Sequence, residues 1–368
     1  MRFTCDKASL YDAVVNVSKA VSPKSPLPVL EGVYLKLQDG ELFLTGYDLE
    51  LGIKTSLPVS GGEDGDIVLS ARLFSDMLKR LSSADMTLEA DDKLVTVIRG
   101  GQTEYTLIGL SAEDYPDLPE VNAERRLSLA QPLLKSMVGQ TLFAVATTEQ
   151  KPVHTGSLFD VADGRINVVS VDGYRLARRV EAAPPDEAGH FVVPAKTLSE
   201  ILHLLSDDDE QSVSLDISRK HIIFDTGRYQ LISRLLEGEF LDYAASIPKG
   251  FQTEVVVNTR EFIDSLERAS LLITERQKSP VRCLFEGGIV RLSCVTAVGK
   301  VNDEIPADVS GPKVEIGFNN RYLLDALRAT ESDEVKLQMS GALSPMKLVP
   351  LQGDSFTFLV LPVRLKSE

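Results

Sequence analysis

A chain of 368 residues is long enough for two or three domains, and its 43% hydrophobic content is that of an ordinary globular protein. The net charge of −15 argues against general coating of nucleic acid, yet leaves room for a segregated basic surface. No apolar run approaches the roughly 20 residues that span a bilayer, and Met1-Arg2-Phe3-Thr4 enters an alternating strand pattern with no apolar leader, so a soluble, cytoplasmic protein is expected.

The first expected helix carries Leu10, Ala13, Val14 and Val17 on one stripe, and strands over 33–37 and 42–45 follow it. Between them, Lys24-Ser25-Pro26 forms a turn. A second helix is expected in 69–81 (LSARLFSDMLKRL), where Phe74, Met77, Leu78 and Leu81 fall at i, i+3, i+4 and i+7 behind the candidate N-cap Ser70. Alternating strands then run through Leu94–Ile98 spacing to Tyr105, Leu107 and Leu110. The Pro- and acid-rich stretch 111–124 (SAEDYPDLPEVNAE) reads as a linker, which sets a first domain at 1–120.

The same order recurs twice. Leu134, Met137, Val138 and Val145 form the next helical stripe, Lys151-Pro152 the next turn, and 156–159 with 167–171 the next strands. A helix in 193–205 (VPAKTLSEILHLL) places Leu198, Ile201, Leu202 and Leu205 on one face, with Pro194 suited to a first helical turn. Strands lead to Leu235, and 241–250 (LDYAASIPKG) is the second linker. The Asp114-Tyr115 pair of the first linker returns there as Asp242-Tyr243. In the third copy, Phe262, Leu266, Ala269 and Ile273 precede Lys278-Ser279-Pro280 and strands over 283–285 and 290–294. Its second helix, in 318–330 (FNNRYLLDALRAT), has Leu323, Ala326 and Leu327 behind the candidate cap Asn319. The period of about 125 residues is that of whole domains, since a solenoid unit is only about 20–50 residues long. The domains are therefore expected at 1–120, 121–248 and 249–368. Each holds two strand–helix–strand–strand–strand units, an α+β plan with helices on one face of antiparallel sheets.

Catalytic signatures are missing. The chain has no Gly-x-x-x-x-Gly-Lys-Ser/Thr, no Gly-x-Gly-x-x-Gly opening a helix and no Gly-x-Ser-x-Gly. His154, His190, His203 and His221 lack metal-ligand spacing, and Asp207-Asp208-Asp209 reads as a solvated turn because 83–85 and 332–334 hold the same place. Cys5, Cys283 and Cys294 read as buried reduced thiols. No catalytic site, cofactor or metal is expected. Cations recur instead: Lys24, Lys151 and Lys278 at equal intervals, and Arg72, Lys196 and Arg321 two residues past the starts of the second helices. An acidic chain that repeats cations at equivalent positions presents an anion-binding face, and point charges without base-reading motifs suit sequence-independent phosphate contact.

On Leu27-Pro28-Val29-Leu30, Thr45-Gly46-Tyr47-Asp48-Leu49-Glu50, Val171-Asp172-Gly173-Tyr174-Arg175-Leu176-Ala177, Ser344-Pro345-Met346-Lys347 and Leu361-Pro362-Val363-Arg364-Leu365, together with the opening tetrapeptide, the chain resembles the bacterial DNA sliding clamps, the β subunits of DNA polymerase III. The resemblance covers essentially the whole sequence. It implies the DNA clamp fold: a head-to-tail homodimer closed into a ring, helices lining the lumen and sheets outside. The implied partners are duplex DNA, the replicative polymerase, the clamp loader and other proteins carrying clamp-binding motifs, with no membrane. The implied peptide site comprises Val153, His154, Val171, Gly173, Tyr174, Arg175 and Leu176, then Leu241, Ala245 and Ser246, then Leu343, Pro345, Leu359, Leu361, Pro362, Val363 and Arg364. The chain departs from the family at His154, Leu241, Ala245 and Ser246, which bears on motif preference, and Lys366-Ser367-Glu368 extend past the usual end. Tyr105 and Leu107 are implied to meet Leu272 and Ile273 at the ring closure. The rival readings are a repeat-built interaction scaffold with no DNA role, and a hydrolase with an unrecognised acid pair.

Overall fold

In the computed structural model, residues 1–148, 150–183, 188–273 and 279–365 are described. Seven helices lie among them: α1 Lys7–Ser18, α2 Ala71–Arg80, α3 Gln131–Gly139, α4 Ala195–Leu204, α5 Tyr243–Ser246, α6 Thr259–Ser270 and α7 Asn320–Arg328. None of the described helices is long and apolar enough to cross a membrane. Six of the seven follow a strand and precede three more, so each repeat is two strand–helix–strand–strand–strand units, the first repeat inserting an extra strand, Ser60–Glu63. The chain divides into two compact units. One holds Met1–Leu134 and Ser199–Leu235; the other holds Lys135–Leu198 and the chain from Leu236 onward. The central repeat thus contributes to both.

The first unit contains two antiparallel sheets. Five strands run in the order Ser60–Glu63, Arg2–Asp6, Asp85–Ala90, Val95–Gly100, Thr103–Ile108. Eight run in the order Arg125–Ala130, Ser212–Ile217, His221–Asp225, Tyr229–Arg234, Leu51–Pro58, Glu41–Tyr47, Gly32–Gln38, Gly65–Ser70. The eight-stranded sheet joins two repeats where Tyr229–Arg234 adds to Leu51–Pro58, with Leu231 opposite Ile53 and Ser233 opposite Leu51. Asp6 caps α1 by accepting from the Ser9 N–H at 2.7 Å, which satisfies one of the helix's orphan donors. The stripes of α1 and α2 bury Leu10, Val14, Val17, Phe74 and Leu78, each worth about 1.5–3 kcal/mol of transfer free energy. Ser70 occupies the N-cap of α2 without a side-chain hydrogen bond.

The second unit is built on one antiparallel sheet of twelve strands: Gly189–Pro194, Gly156–Ala162, Arg165–Val171, Arg175–Ala182, Phe356–Val360, Met346–Val349, Glu334–Met339, Thr253–Asn258, Gly299–Ser310, Ile289–Thr296, Val281–Glu286, Val314–Phe318. Here too the sheet joins two repeats, where Phe356–Val360 adds to Arg175–Ala182 with Val360 opposite Arg175 and Leu359 opposite Leu176. Helices α6 and α7 pack together over Phe262, Leu266, Leu323, Leu327, Phe285 and Phe318. Asn258 and Asn319 cap them through the N–H groups of Glu261 and Arg321, both at 3.0 Å.

Among the described residues four strands keep a bare edge, Ser60–Glu63 and Arg125–Ala130 at the ends of the first unit's sheets and two more. Among the described residues Thr103–Ile108 pairs only with Val95–Gly100, and 299–306 pairs only with Ile289–Thr296.

Some expected boundaries shift. Helix α3 ends at Gly139 and α6 at Ser270, so Val145 and Ile273 lie beyond the helices whose stripes they extend in sequence; Val145 follows a short 3₁₀ turn, Leu142–Ala144. Pro194 is the last residue of its strand, one before α4 begins. The run 207–209 forms an exposed turn, and the three cysteines are buried and unpaired.

Candidate partner-peptide groove and basic positions

The candidate groove starts from a backbone device in the second unit. Between Arg165–Val171 and Arg175–Ala182 the chain turns through 172–174, and the Asp172 carboxylate organises the turn. Its Oδ1 accepts from the N–H groups of Tyr174 at 2.8 Å and Arg175 at 3.0 Å, the Asx geometry that turns favour. Gly173 sits at φ 89°, the left-handed region that L-residues avoid. The turn lifts Tyr174 into solvent and drives Arg175 inward. Tyr174 C=O accepts from the Leu361 N–H at 2.9 Å, which ties the turn to the C-terminal segment.

Beneath this turn lies an apolar floor of Val153, Val171, Leu176 and Leu359, joined by Leu158, Val169 and Val192. Phe240, just before the second linker, and Tyr243 and Ile247 within it pack against it half-buried. Tyr243 is anchored by a 2.6 Å hydrogen bond from its hydroxyl to Asp160, and burial raises its pKa. His154 is buried edge-on to Phe240, ring centroids 5.1 Å apart. Burial, with a contribution from the Lys151 charge, holds its pKa below the ordinary value and favours the neutral imidazole. Leu241, Leu343, Leu361 and Val363 are exposed apolar side chains, Leu343 at 76%. Ala245, Ser246 and Arg364 are exposed, Pro345 and Pro362 half-buried. Apolar walls with a few polar groups at the rim are the ordinary chemistry of a binding cleft.

Arg175 buttresses the far side. Its side chain is only 8% exposed. The guanidinium donates to Asp172 Oδ2 at 2.9 Å and Asp325 Oδ2 at 2.6 Å, and it lies 4.5 Å from the ring centroid of Tyr322. Tyr322 in turn stacks on Tyr174. Asp325, Tyr322, Asn319, Ile273 and Val363 line a cleft of about 780 Å³. Val363 is held there by donating its N–H to Gly317 O at 2.7 Å. Asp172, Tyr322 and Asp325 were not singled out in the sequence. Asp172 stands inside the motif that carries the resemblance; Tyr322 and Asp325 look like any residues of an amphipathic helix, and only the 150-residue contact to Arg175 gives them a role.

Among the expected cations, Lys24, Lys151, Arg72, Lys196 and Arg321 are all exposed. Lys24 and Lys151 each stand shortly before a 3₁₀ turn, Pro28–Glu31 and Pro152–Thr155. Lys278 lies outside the described residues, as do Lys366, Ser367 and Glu368. Arg321 is 3.9 Å from Asp325. Tyr105 and Leu107 are half-buried on the bare-edged strand Thr103–Ile108. Leu272 lies next to Gly299, where an added Cβ would be 3.8 Å from it, whereas Ile273 packs in part against its own unit's core. Among the described residues no group of His, Cys, Asp and Glu is arranged to hold a metal ion.

Comparison with known proteins bears on all of these features. The sequence matches the family descriptions "DNA polymerase III beta subunit, N-terminal domain" over residues 1–119, "central domain" over 128–242 and "C-terminal domain" over 245–364. It is 33% identical to the beta sliding clamp of Bacillus subtilis strain 168, across 99% of this chain and 100% of that protein. It is likewise 33% identical to a beta sliding clamp of Staphylococcus epidermidis, across 99% of both. The fold superposes on the crystal structure of the Bacillus subtilis DNA polymerase sliding clamp with a TM-score of 0.95, covering 100% of both chains. It superposes on a Pseudomonas aeruginosa sliding clamp bound to griselimycin with a TM-score of 0.94 at 27% identity, covering 99% of this chain and 100% of that one.

Proposed function

The chain belongs to the family of bacterial sliding clamps, the β subunits of DNA polymerase III, and on that premise we propose that two copies close head to tail around duplex DNA and tether the replicative polymerase and other partners to it. It works in the cytoplasm as a processivity factor, with no catalytic step of its own. The domains 1–120, 121–248 and 249–368 are its three repeated segments.

The observation that carries the dimer is a matched pair among the bare edges. Twice within the chain the last strand of a repeat adds to the fourth strand of the repeat before it: Tyr229–Arg234 to Leu51–Pro58, and Phe356–Val360 to Arg175–Ala182. The third pair of counterparts is Thr103–Ile108 and the first part of Gly299–Ser310, and among the described residues both are left open on the side where their counterparts pair. Exposed edges are liabilities unless something covers them. A second copy, rotated so that the contact closes, covers both edges at once. Carrying over the register of Ser233 with Leu51 and Val360 with Arg175 sets Leu107 opposite Gly299 and Tyr105 opposite Val301. Leu272, beside Gly299, then meets Leu107.

Duplex held by topology needs only weak phosphate contacts, and Lys24, Lys151, Lys278, Arg72, Lys196 and Arg321 supply charge without reading sequence. Partner peptides place apolar anchors on the Val153, Val171, Leu176 and Leu359 floor, between the second linker and Leu361, Pro362, Val363 and Arg364. The deciding experiment loads the protein on circular DNA and then cuts the circle. Loss of the protein on linearisation supports the ring; equal retention on both forms rejects it.

A further inference from the structure

The first unit contains a second copy of the groove's framework. The Asp48 carboxylate organises the turn between Glu41–Tyr47 and Leu51–Pro58 as Asp172 does in the second unit. Its Oδ1 accepts from Glu50 N–H at 3.0 Å and Leu51 N–H at 2.7 Å. Leu49 takes the left-handed conformation, φ 76°, that Gly173 takes at 89°. The incoming strand is pinned in the same way, Arg234 N–H to Glu50 O at 3.0 Å against Leu361 N–H to Tyr174 O at 2.9 Å. The 3₁₀ turn Pro28–Glu31 supplies Val29 and Leu30 where Pro152–Thr155 supplies Val153 and His154, and Tyr47 stands where Val171 does.

One wall residue changes size. Position 52 is glycine where the second unit has Leu176. A Cβ on Gly52 would lie 2.5 Å from Leu118 Cδ2, so Leu118 of the first linker fills the space that a side chain at position 52 would claim. Tyr115 holds the linker down through a hydroxyl bond to Thr45 O at 3.3 Å and a stack on Tyr34, and both Tyr115 and Leu118 pack against Val29, Leu30 and Tyr47. In the second unit Leu176 fills its own place in the floor, and Ile247 of the second linker packs against that floor without standing in for a missing side chain.

We propose that the first repeat carries a second peptide groove closed by its own linker, with Leu118 seated on Gly52 as the internal occupant, so that each chain offers one groove to partner peptides. This rests on reading the second unit's groove as a peptide site. A peptide reaching for the first groove must displace an apolar side chain that is covalently tethered beside it.

The test titrates a synthetic hexapeptide with leucine and phenylalanine anchors into the full-length protein by calorimetry. The unmodified protein is expected to take up one peptide per chain, and Leu118→Ala two. With the second unit's groove disabled by Val363→Asp, Leu118→Ala is expected to retain a binding site that the Val363→Asp protein alone lacks. A Leu118→Ala protein of unchanged melting temperature that still binds one peptide per chain overturns the proposal. The unmodified protein gives a second readout that does not depend on a variant folding. Peptide raised into the millimolar range should speed amide exchange across 111–120, and exchange that stays constant overturns the proposal as well. An unmodified protein that binds no peptide rejects the groove reading itself, and this inference with it.

Discussion

At the scale of single residues, the groove depends on one buried cation. Arg175 is satisfied by two carboxylates and two aromatic faces, Phe143 and Tyr322. Asp325→Ala leaves the guanidinium with Asp172 alone. Removing a partner from a buried pair costs about 3–5 kcal/mol; with Asp172 still in place a loss of about 2–3 kcal/mol is expected, read as a lower denaturant midpoint, together with weaker peptide binding. No change in either would remove Arg175 from the support of the groove. His154 makes a different prediction. Its folded pKa is held below the ordinary value of about 6.5, so the unfolded chain binds the proton more readily. The stability it contributes is present above about pH 6.5 and is lost as pH falls through the folded pKa. His154→Leu should therefore narrow the drop in melting temperature on acidification, and shift preference among peptides more than stability at neutral pH. His221 is depressed as well, by burial and the charges of Arg234 and Lys220, so the comparison is between variant and parent across pH. Parallel melting curves at every pH would reject the assignment to His154.

At the scale of elements, two predictions follow from strand edges. If Thr103–Ile108 of one copy adds to 299–306 of the other in the inherited register, Tyr105→Cys with Val301→Cys should oxidise into a covalently closed dimer. Directly opposed residues lie about 4.5–5.5 Å apart, within disulfide reach. Tyr105→Cys with Lys300→Cys should not crosslink, and because Cys5, Cys283 and Cys294 are buried the background is low. Crosslinking of the second pair in preference to the first would overturn the register. Deleting 362–368 removes the Val363 tie to Gly317 and should abolish peptide binding while sedimentation still reports a dimer; a central anchor carries about 2 kcal/mol or more. The helices and the threefold order were legible in the sequence because periodicity and spacing write them directly. The helix ends were less so: Val145 and Ile273 continue an apolar rhythm across turns that stop the helices. The joining of repeats through Tyr229–Arg234 and Phe356–Val360 left no residue signature, since ladder bonds are made by backbone common to every residue. The groove floor was read through resemblance, but the Arg175 buttress needed tertiary contacts.

At the scale of the whole molecule, DNA retention should depend on topology more than on direct affinity. Changing Lys24, Lys151 and Lys278 together to Ala is expected to weaken loading without sequence preference and to flatten the salt dependence by about 1 per lost phosphate contact. Loading and salt dependence identical to the parent would take these lysines off the DNA surface. The bare edges also carry a kinetic consequence for the proposed ring. Inside a chain, each sheet junction between repeats is backed by a linker, 111–124 or 241–250, so a frayed ladder re-forms against a partner at an effective concentration in roughly the millimolar range. A junction between copies has no such leash, except that each of the two leashes the other. Opening one leaves a short intramolecular search and fast reclosure; losing both leaves a bimolecular search that dilution slows. A duplex would therefore enter through a single parted seam, with the opposite seam serving as the hinge, and the resting ring would fall apart far more slowly than either seam breathes.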